Sequence, residues 1–522
     1  MLVHKETNSL LLKSKDPQRI QALIPKSKII DFEGHNVAVR YGLDETRVLR
    51  NLGINVPSPI LSRYNWPSNF PTVFNHQRAT AAFATLHNKL FILNEQGTCK
   101  TSSALWAADF LMREKVIRRV LIIAPLSTLD RTWRSEIFST LMHRAASILH
   151  GSKQKRLELL GIDTDFYIIN HDGIGTIRDE LRKRKDIDLV IADEAGQAYR
   201  NGSTKRYKDL KAMLRPEQRL WLMTGTPCPN APTDAWALAR LVSPERVPMY
   251  FNAFKRQTMY QVSTYKWLPK AEAYEVAYQA MQPAIRFKKA ECLDLPPLVS
   301  LDRECDLTKE QKDAYAHMRA QMVLNHDAGR ITAVNAADQI TKLRQILCGV
   351  VKIPGTDKYK LLDHAPRINV LRDCIAEAGA KVIVIVPFKG IIYQLQEELK
   401  ATYSTAVLNG DVTVNKRNEI LRRFKEEPDP HVLLCHPKVM AHGLTLTEAD
   451  TMIFYAPIYS NDEFQQVKDR INRPGQTRHM TLIRMGAAPL EWSIYKSLDT
   501  RGATQNSILD LYGNVLKELD VV

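Results

Sequence analysis

The chain holds 522 residues, 44% apolar and 25% charged, a balance that excludes a disordered or low-complexity protein and leaves room for two to four domains. No apolar run reaches the ~20 residues of a bilayer-spanning helix, and the N-terminus turns polar too soon for a secretory leader, so a soluble cytoplasmic protein with no membrane partner is expected. Seven cysteines without a CxxC pair argue against a zinc site or a disulfide framework, while a net charge of +16 favours a polyanionic partner.

Residues 1–70 alternate short apolar runs (SLLLKS, SKIIDF, HNVAVRY) with turns and a helical stretch, DETRVLRNLGI, which predicts a small N-terminal accessory α+β domain. Pro57, Pro59, Pro67 and Pro71 mark a linker after it. From Asn75 the pattern changes to β-branched runs separated by helical segments: KLFILN, RRVLIIAP, TDFYIIN, IDLVIADE and RLWLMTGTP. Such runs, each followed by a polar loop and a helix, fit buried parallel strands. They predict a first parallel-sheet lobe over 71–240. The stretch 241–363 reads as mostly helical elaboration and inter-lobe linker, rich in Lys and Arg. A second series (AKVIVIVPF, YSTAVLNG, HVLLCHP, ADTMIFYAP, HMTLIRM) predicts a second lobe over 364–522 with C-terminal helices. The fold class is therefore α/β.

Between KLFILN and the helical run that follows lies EQGTCKTSS, a strand–loop–helix layout that can cradle phosphate on backbone N–H groups. Gly97, Thr98 and Cys99 form the loop, Lys100 is placed to reach the β/γ phosphates of ATP, and Thr101 is placed to hold Mg²⁺. Cys99 stands where such loops carry glycine, so a positive φ there would strain the turn. Downstream, IDLVIADEAGQ ends a strand in adjacent acids. A carboxylate at the C-terminal end of a parallel strand sits in the ligand crevice of such sheets. Asp193 is placed for Mg²⁺ and Glu194 for orienting and deprotonating the attacking water.

GTCKT, ADEAG and MTGTP resemble superfamily-two helicases, and the second lobe, with LNGDVTVNKRNEILRRF, HGLTLTEAD and QQVKDRINRPGQTR, resembles the Swi/Snf-type DNA translocases, as in a bacterial or phage member. The resemblance implies two RecA-like lobes, ATP with Mg²⁺, and duplex or branched DNA as partner, with replication or recombination proteins beside it. It implies that Gln77 of FNHQ reads the adenine, that Thr224 and Thr226 couple hydrolysis to lobe movement, and that Gln466, Arg470 and Arg473 act from the second lobe, the arginines as fingers on the γ-phosphate. Ser127 and Thr128, then Pro387, Phe388 and Lys389, are the implied contacts to the nucleic-acid backbone. His442, Gly443 and Thr445 are placed for phosphate of either kind. Trp133 reads as a core or helix-packing residue, and the basic runs Arg182–Lys185 and Lys288–Lys289 as solvated faces.

Three positions depart from the family: Cys99, Gly196 where many relatives carry histidine, and Asn472 in place of a histidine before Arg473. The implied activity is ATP-driven remodelling of branched or protein-bound DNA, by fork reversal, branch migration or strand annealing. A nucleic-acid-binding scaffold with a decayed motor site and an RNA helicase stand as alternatives.

Overall fold

Four short strands open the chain: β1 (Leu2–His4), β2 (Ser9–Leu12), β3 (Lys28–Phe32) and β4 (His35–Arg40), antiparallel in the order β1-β2-β4-β3. Leu10, Leu12, Val37 and Val39 alternate onto one face and pack with Ile20, Ile24, Tyr41, Leu49 and Val56, so this α+β unit has a core of its own. The computed structural model describes residues 1–499 except 5, 68–72, 230, 264–265, 328–332, 354, 356–358 and 441–445. These residues group into two compact units, one running from Met1 to Cys292 and one beginning at Leu293.

In the first unit, β5 (Lys89–Ile92), β6 (Arg119–Ala124), β7 (Ala146–Ile148), β8 (Phe166–Asn170), β9 (Ile187–Ala192) and β10 (Arg219–Met223) are parallel. A two-stranded hairpin, β11 (Met259–Ser263) with β12 (Lys266–Pro269), stands apart, and β13 (Ala284–Ile285) completes a seven-stranded sheet in the order β13-β5-β10-β9-β6-β8-β7. The strands are apolar along most of their length because both faces are covered. Leu121, Ile123, Val190, Leu220 and Leu222 enter the core on one face, and Val120, Ile122, Leu189, Ile191 and Trp221 enter the core on the other.

The second unit repeats the plan. Its strands are β14 (Leu298–Glu304), the hairpin β15 (Val350–Lys352) with β16 (Tyr359–Leu361), then β17 (Lys381–Ile385), β18 (Thr405–Leu408), β19 (Val432–Cys435), β20 (Ala449–Phe454) and β21 (Met480–Gly486). Six of them form a parallel sheet in the order β14-β21-β20-β17-β19-β18. The stretch read as helical elaboration does contain helices, such as Ala273–Ala280 and Ala333–Leu347. It also supplies a strand to each main sheet, β13 and β14. A two-residue strand and an edge strand exposed along most of its length carry too little apolar signal to be read from sequence. No helix among the described residues is long and apolar enough to cross a membrane.

Candidate active site

Register brings the first unit's candidate residues to one edge. Met223 pairs with Ile92, Leu222 with Ala192, and Ile123 with Ala192. The parallel strands β5, β6, β9 and β10 therefore end side by side. The loops that leave them carry the cradle, Ser127–Thr128, Asp193–Glu194 and Thr224–Thr226 respectively, and open sheets of this kind bind ligands at that edge.

The cradle runs from Asn94 into the helix Lys100–Arg113. Gly97 has φ +81° and Cys99 φ +56°, so the strain foreseen at Cys99 is present. Lys100 Nζ folds back over the loop and donates to the Glu95 carbonyl at 3.0 Å. Thr98 is tied on both sides: its hydroxyl donates to the Glu95 carbonyl at 2.7 Å, and its own carbonyl accepts from His76 Nε2 at 3.1 Å. Burial lowers the His76 pKa and favours the neutral ring, and a carbonyl can only accept, so Nε2 carries the proton. Gln77 is buried in the helix Asn75–Leu86, where its Oε1 accepts from the Phe74 N–H at 3.0 Å while Nε2 has no partner. Gln96 is buried with neither amide atom satisfied. Unsatisfied buried amides are rare in native proteins, and both of these lie beside the cradle, where a nucleotide supplies acceptors and donors.

The loop is held by residues nearly two hundred positions downstream. The buried Arg286 guanidinium pairs with Glu95 Oε1 at 2.9 Å and donates to the Leu93 carbonyl, and the Lys289 backbone N–H donates to Glu95 Oε2 at 2.8 Å. Lys289 is buried, so it is no solvated face.

Across the crevice, Asp193 receives the Glu194 N–H at 3.0 Å on Oδ1 and the indole N–H of Trp133 at 3.1 Å on Oδ2. Trp133 is a core residue as expected, with a polar contact that its packing gave no hint of. Glu194 sits at φ +48°, a second strained non-glycine residue at the same edge. Gly196 accounts for its own departure. A Cβ there would lie 2.7 Å from Thr224 Oγ1 and closer still to the Thr226 carbonyl, so the acid loop and the Thr224–Thr226 loop touch directly. Thr224 Oγ1 accepts from the Thr226 N–H at 3.2 Å. Thr101 lies half-buried in the first turn of the cradle helix.

In the second unit the helix Asn461–Lys468 runs into the arginine turn. Gln466 and Arg470 are buried, Arg470 Nε donating to the Gln466 carbonyl at 2.8 Å and Arg473 Nε to the Asp469 carbonyl at 3.0 Å. Gln476 ties the turn to the sheet, donating to the Ala449 carbonyl at 3.0 Å.

The family model of the SNF2-related domain matches residues 41–351, and that of the helicase conserved C-terminal domain matches residues 366–475. The chain belongs to the SNF2-related family. Its two parallel-sheet units are accordingly the two RecA-like lobes of that family. An uncharacterized ATP-dependent helicase of Mycoplasma genitalium is 25% identical over 76% of this chain and 37% of its own length. Putative protein p41 of the Acyrthosiphon pisum secondary endosymbiont phage 1 is 23% identical over 73% of this chain and 85% of its own. The chain thus spans little more than a third of the Mycoplasma relative. The SWI2/SNF2 ATPase core of Sulfolobus solfataricus, solved with double-stranded DNA, is 20% identical, with a TM-score of 0.42 over 89% of this chain and 98% of that one. At that score the family assignment rests on the sequence models.

Within the SNF2-related frame the expected nucleic-acid residues fall into three groups. Ser127 is exposed just past β6, whereas Thr128 is buried with its hydroxyl donated to the Pro125 carbonyl at 2.9 Å. Past β17, Lys389 is exposed and pairs with Asp411 at 2.6 Å, but Phe388 is buried with the Arg344 guanidinium 5.1 Å from its ring centroid. An apolar ring seated in the core and covered by a cation is not offered to a ligand, so Pro387 and Lys389 are what that loop presents. His442, Gly443 and Thr445 lie outside the described residues.

Proposed function

We propose that this chain is a DNA-dependent ATPase that translocates along duplex DNA and so remodels branched or protein-bound DNA in replication, recombination or repair. The observation that carries the reading is the shared strand edge of the first lobe, where cradle, acids and coupling threonines leave neighbouring parallel strands in register. In this reading Gln77 takes the adenine, the loop Gly97–Thr98–Cys99 and Lys100 take the phosphates, Thr101 and Asp193 take Mg²⁺, and Glu194 orients and deprotonates the attacking water. The spare amide donor of Gln77 fits a purine edge, and one hydroxyl with one carboxylate leaves room for the phosphates and waters that Mg²⁺ retains. Gln466, Arg470 and Arg473 act from the second lobe. Ser127, Pro387 and Lys389 contact backbone phosphates, and the phosphate role expected of His442, Gly443 and Thr445 carries over from the sequence. Contacts of that kind position a duplex without reading its sequence. Residues 1–70 are read as a small accessory domain with a core of its own.

ATP turnover measured with linear, forked and four-way DNA and with RNA tests the reading. Duplex DNA is expected to stimulate turnover and RNA is not, branched DNA is expected to stimulate most, and Glu194→Gln is expected to abolish turnover with ATP binding retained. Turnover that no DNA stimulates would sink the proposal, and stimulation by RNA alone would favour the RNA helicase.

A further inference from the structure

The segment Leu126–Thr140 carries the exposed Ser127 near its start and reaches the proposed nucleotide site at two later points. Leu126–Thr128 is a 3-10 turn, Leu129–Arg134 winds as a π-helix in which the Ser135 N–H reaches the Asp130 carbonyl, and Ser135–Thr140 continues as α-helix. π turns are rare and cluster at functional sites, because the wider turn re-aims a side chain at the expense of regular helix. Here the re-aimed side chain is Trp133. It is fully buried, and its Nε1–H donates to Asp193 Oδ2 at 3.1 Å. An indole N–H is a donor only, so it fixes the carboxylate's rotation without competing for a cation. Three residues on, Glu136 accepts the hydroxyl of Ser102 in the first turn of the cradle helix. Burial raises the Glu136 pKa above its ordinary value, and the Ser102 bond offsets part of that. The Asp193 backbone is tied to the same region, its N–H donating to the Ile123 carbonyl at the end of β6 at 2.8 Å.

We infer that Trp133 is a positioning residue for the metal-binding carboxylate, and that the Leu126–Thr140 segment carries phosphate engagement at Ser127 to Asp193 and to the cradle helix through Trp133 and Glu136. The inference rests on the reading of Asp193 as a magnesium ligand and of Ser127 as a backbone-phosphate contact. It deepens that reading by naming how DNA occupancy reaches the ATP site. A tryptophan that only fills the core would affect folding and every ligand alike. One that aims Asp193 affects the magnesium-dependent part of nucleotide binding alone.

The test is equilibrium binding of a fluorescent non-hydrolysable ATP analogue to the full chain, with Mg²⁺ or with EDTA, each with and without linear duplex. The wild-type chain is expected to bind more tightly with Mg²⁺ and to change affinity again with DNA. Trp133→Phe keeps a ring in the slot but removes the donor. It is expected to lose about tenfold of the Mg²⁺-dependent tightening, the low end for an outer partner of a metal ligand, and to keep the affinity seen in EDTA. Ser102→Ala removes one hydroxyl and needs no repacking. It is expected to reduce the DNA-dependent change and decides the matter if Trp133→Phe does not fold. Wild-type Mg²⁺ tightening in Trp133→Phe, or a wild-type DNA response in Ser102→Ala, overturns the inference. A wild-type chain whose nucleotide affinity ignores Mg²⁺ overturns the ATPase reading itself, and this inference with it.

Discussion

Cys99 and Gly196, the two first-lobe positions that depart from the pattern expected in the sequence, have opposite physical signs. Cys99 puts a Cβ where the backbone is left-handed, which costs roughly 1–2 kcal/mol for an L-residue. Glycine there removes that strain but adds roughly 0.5–1 kcal/mol of unfolded-state entropy to be lost on folding. Cys99→Gly is therefore expected to leave the urea midpoint unchanged or slightly raised and to lower the KM for ATP by opening the cradle. Cys99→Ala keeps the Cβ and is expected to change neither, and a KM that falls equally in both variants would refute the strain argument. Gly196 is the reverse case. An added methyl meets the Thr226 carbonyl and Thr224 Oγ1 well inside van der Waals contact, and one of these is backbone. Gly196→Ala is expected to cost about 1–3 kcal/mol as overpacking, read from urea unfolding, and to lower kcat more than KM because it pushes the Thr224–Thr226 loop from the acids.

The helix Lys100–Arg113 is held at its far end by a buried carboxylate. Asp109 accepts from Tyr64 Oη at 2.9 Å, His143 Nε2 at 2.9 Å and Arg144 Nε at 2.8 Å, and pairs with Arg113 at 2.9 Å. Burial disfavours its charge, but the His143 and Arg144 bonds and the Arg113 and Arg144 charges outweigh that, so its pKa is lowered. A carboxylate with a depressed folded pKa contributes stability that is present above its unfolded value, near 3.9, and lost as pH falls toward the folded value. Asp109→Asn is expected to cost about 3 kcal/mol at neutral pH, the gap to wild type closing as pH falls below about 4. A gap independent of pH would mean that packing, not charge, ties this helix down. Strands β5, β6, β9, β10 and β17 were legible in sequence because burial on both faces makes each a continuous apolar run with a polar loop behind it. The adjacent acids and the Lys-Thr pair were legible because they stand at the ends of such runs. Trp133 with Asp193, Ser102 with Glu136 and Arg286 with Glu95 were not, since each joins elements far apart in the chain through side chains whose composition also fits plain packing. The surroundings of Phe388 were hidden for the same reason: its position just past a strand tells nothing of its burial in the core or of the Arg344 guanidinium over its ring.

Across the whole molecule the residues proposed for ATP are drawn from two units that each carry a sheet and core of their own. The cradle and acids belong to the first, and Gln466, Arg470 and Arg473 to the second. On the proposed reading, such a division makes turnover wait on the second unit, the condition for turning hydrolysis into movement. The geometry of the arginine turn suits that role. Each guanidinium is anchored through Nε to a backbone carbonyl four residues earlier, so the side chain is set before any ligand arrives. Lysine keeps the charge but not the planar fork or the Nε anchor, so it is no conservative replacement here. Arg470→Lys and Arg473→Lys are each expected to lower DNA-stimulated kcat by about 10³-fold, the low end for loss of an arginine finger, while the fluorescent nucleotide binds with wild-type affinity. Measured together, kcat and nucleotide affinity separate the outcomes. Affinity falling in step with kcat would place these arginines in ground-state binding, and a kcat within a few-fold of wild type would remove them from the hydrolytic step.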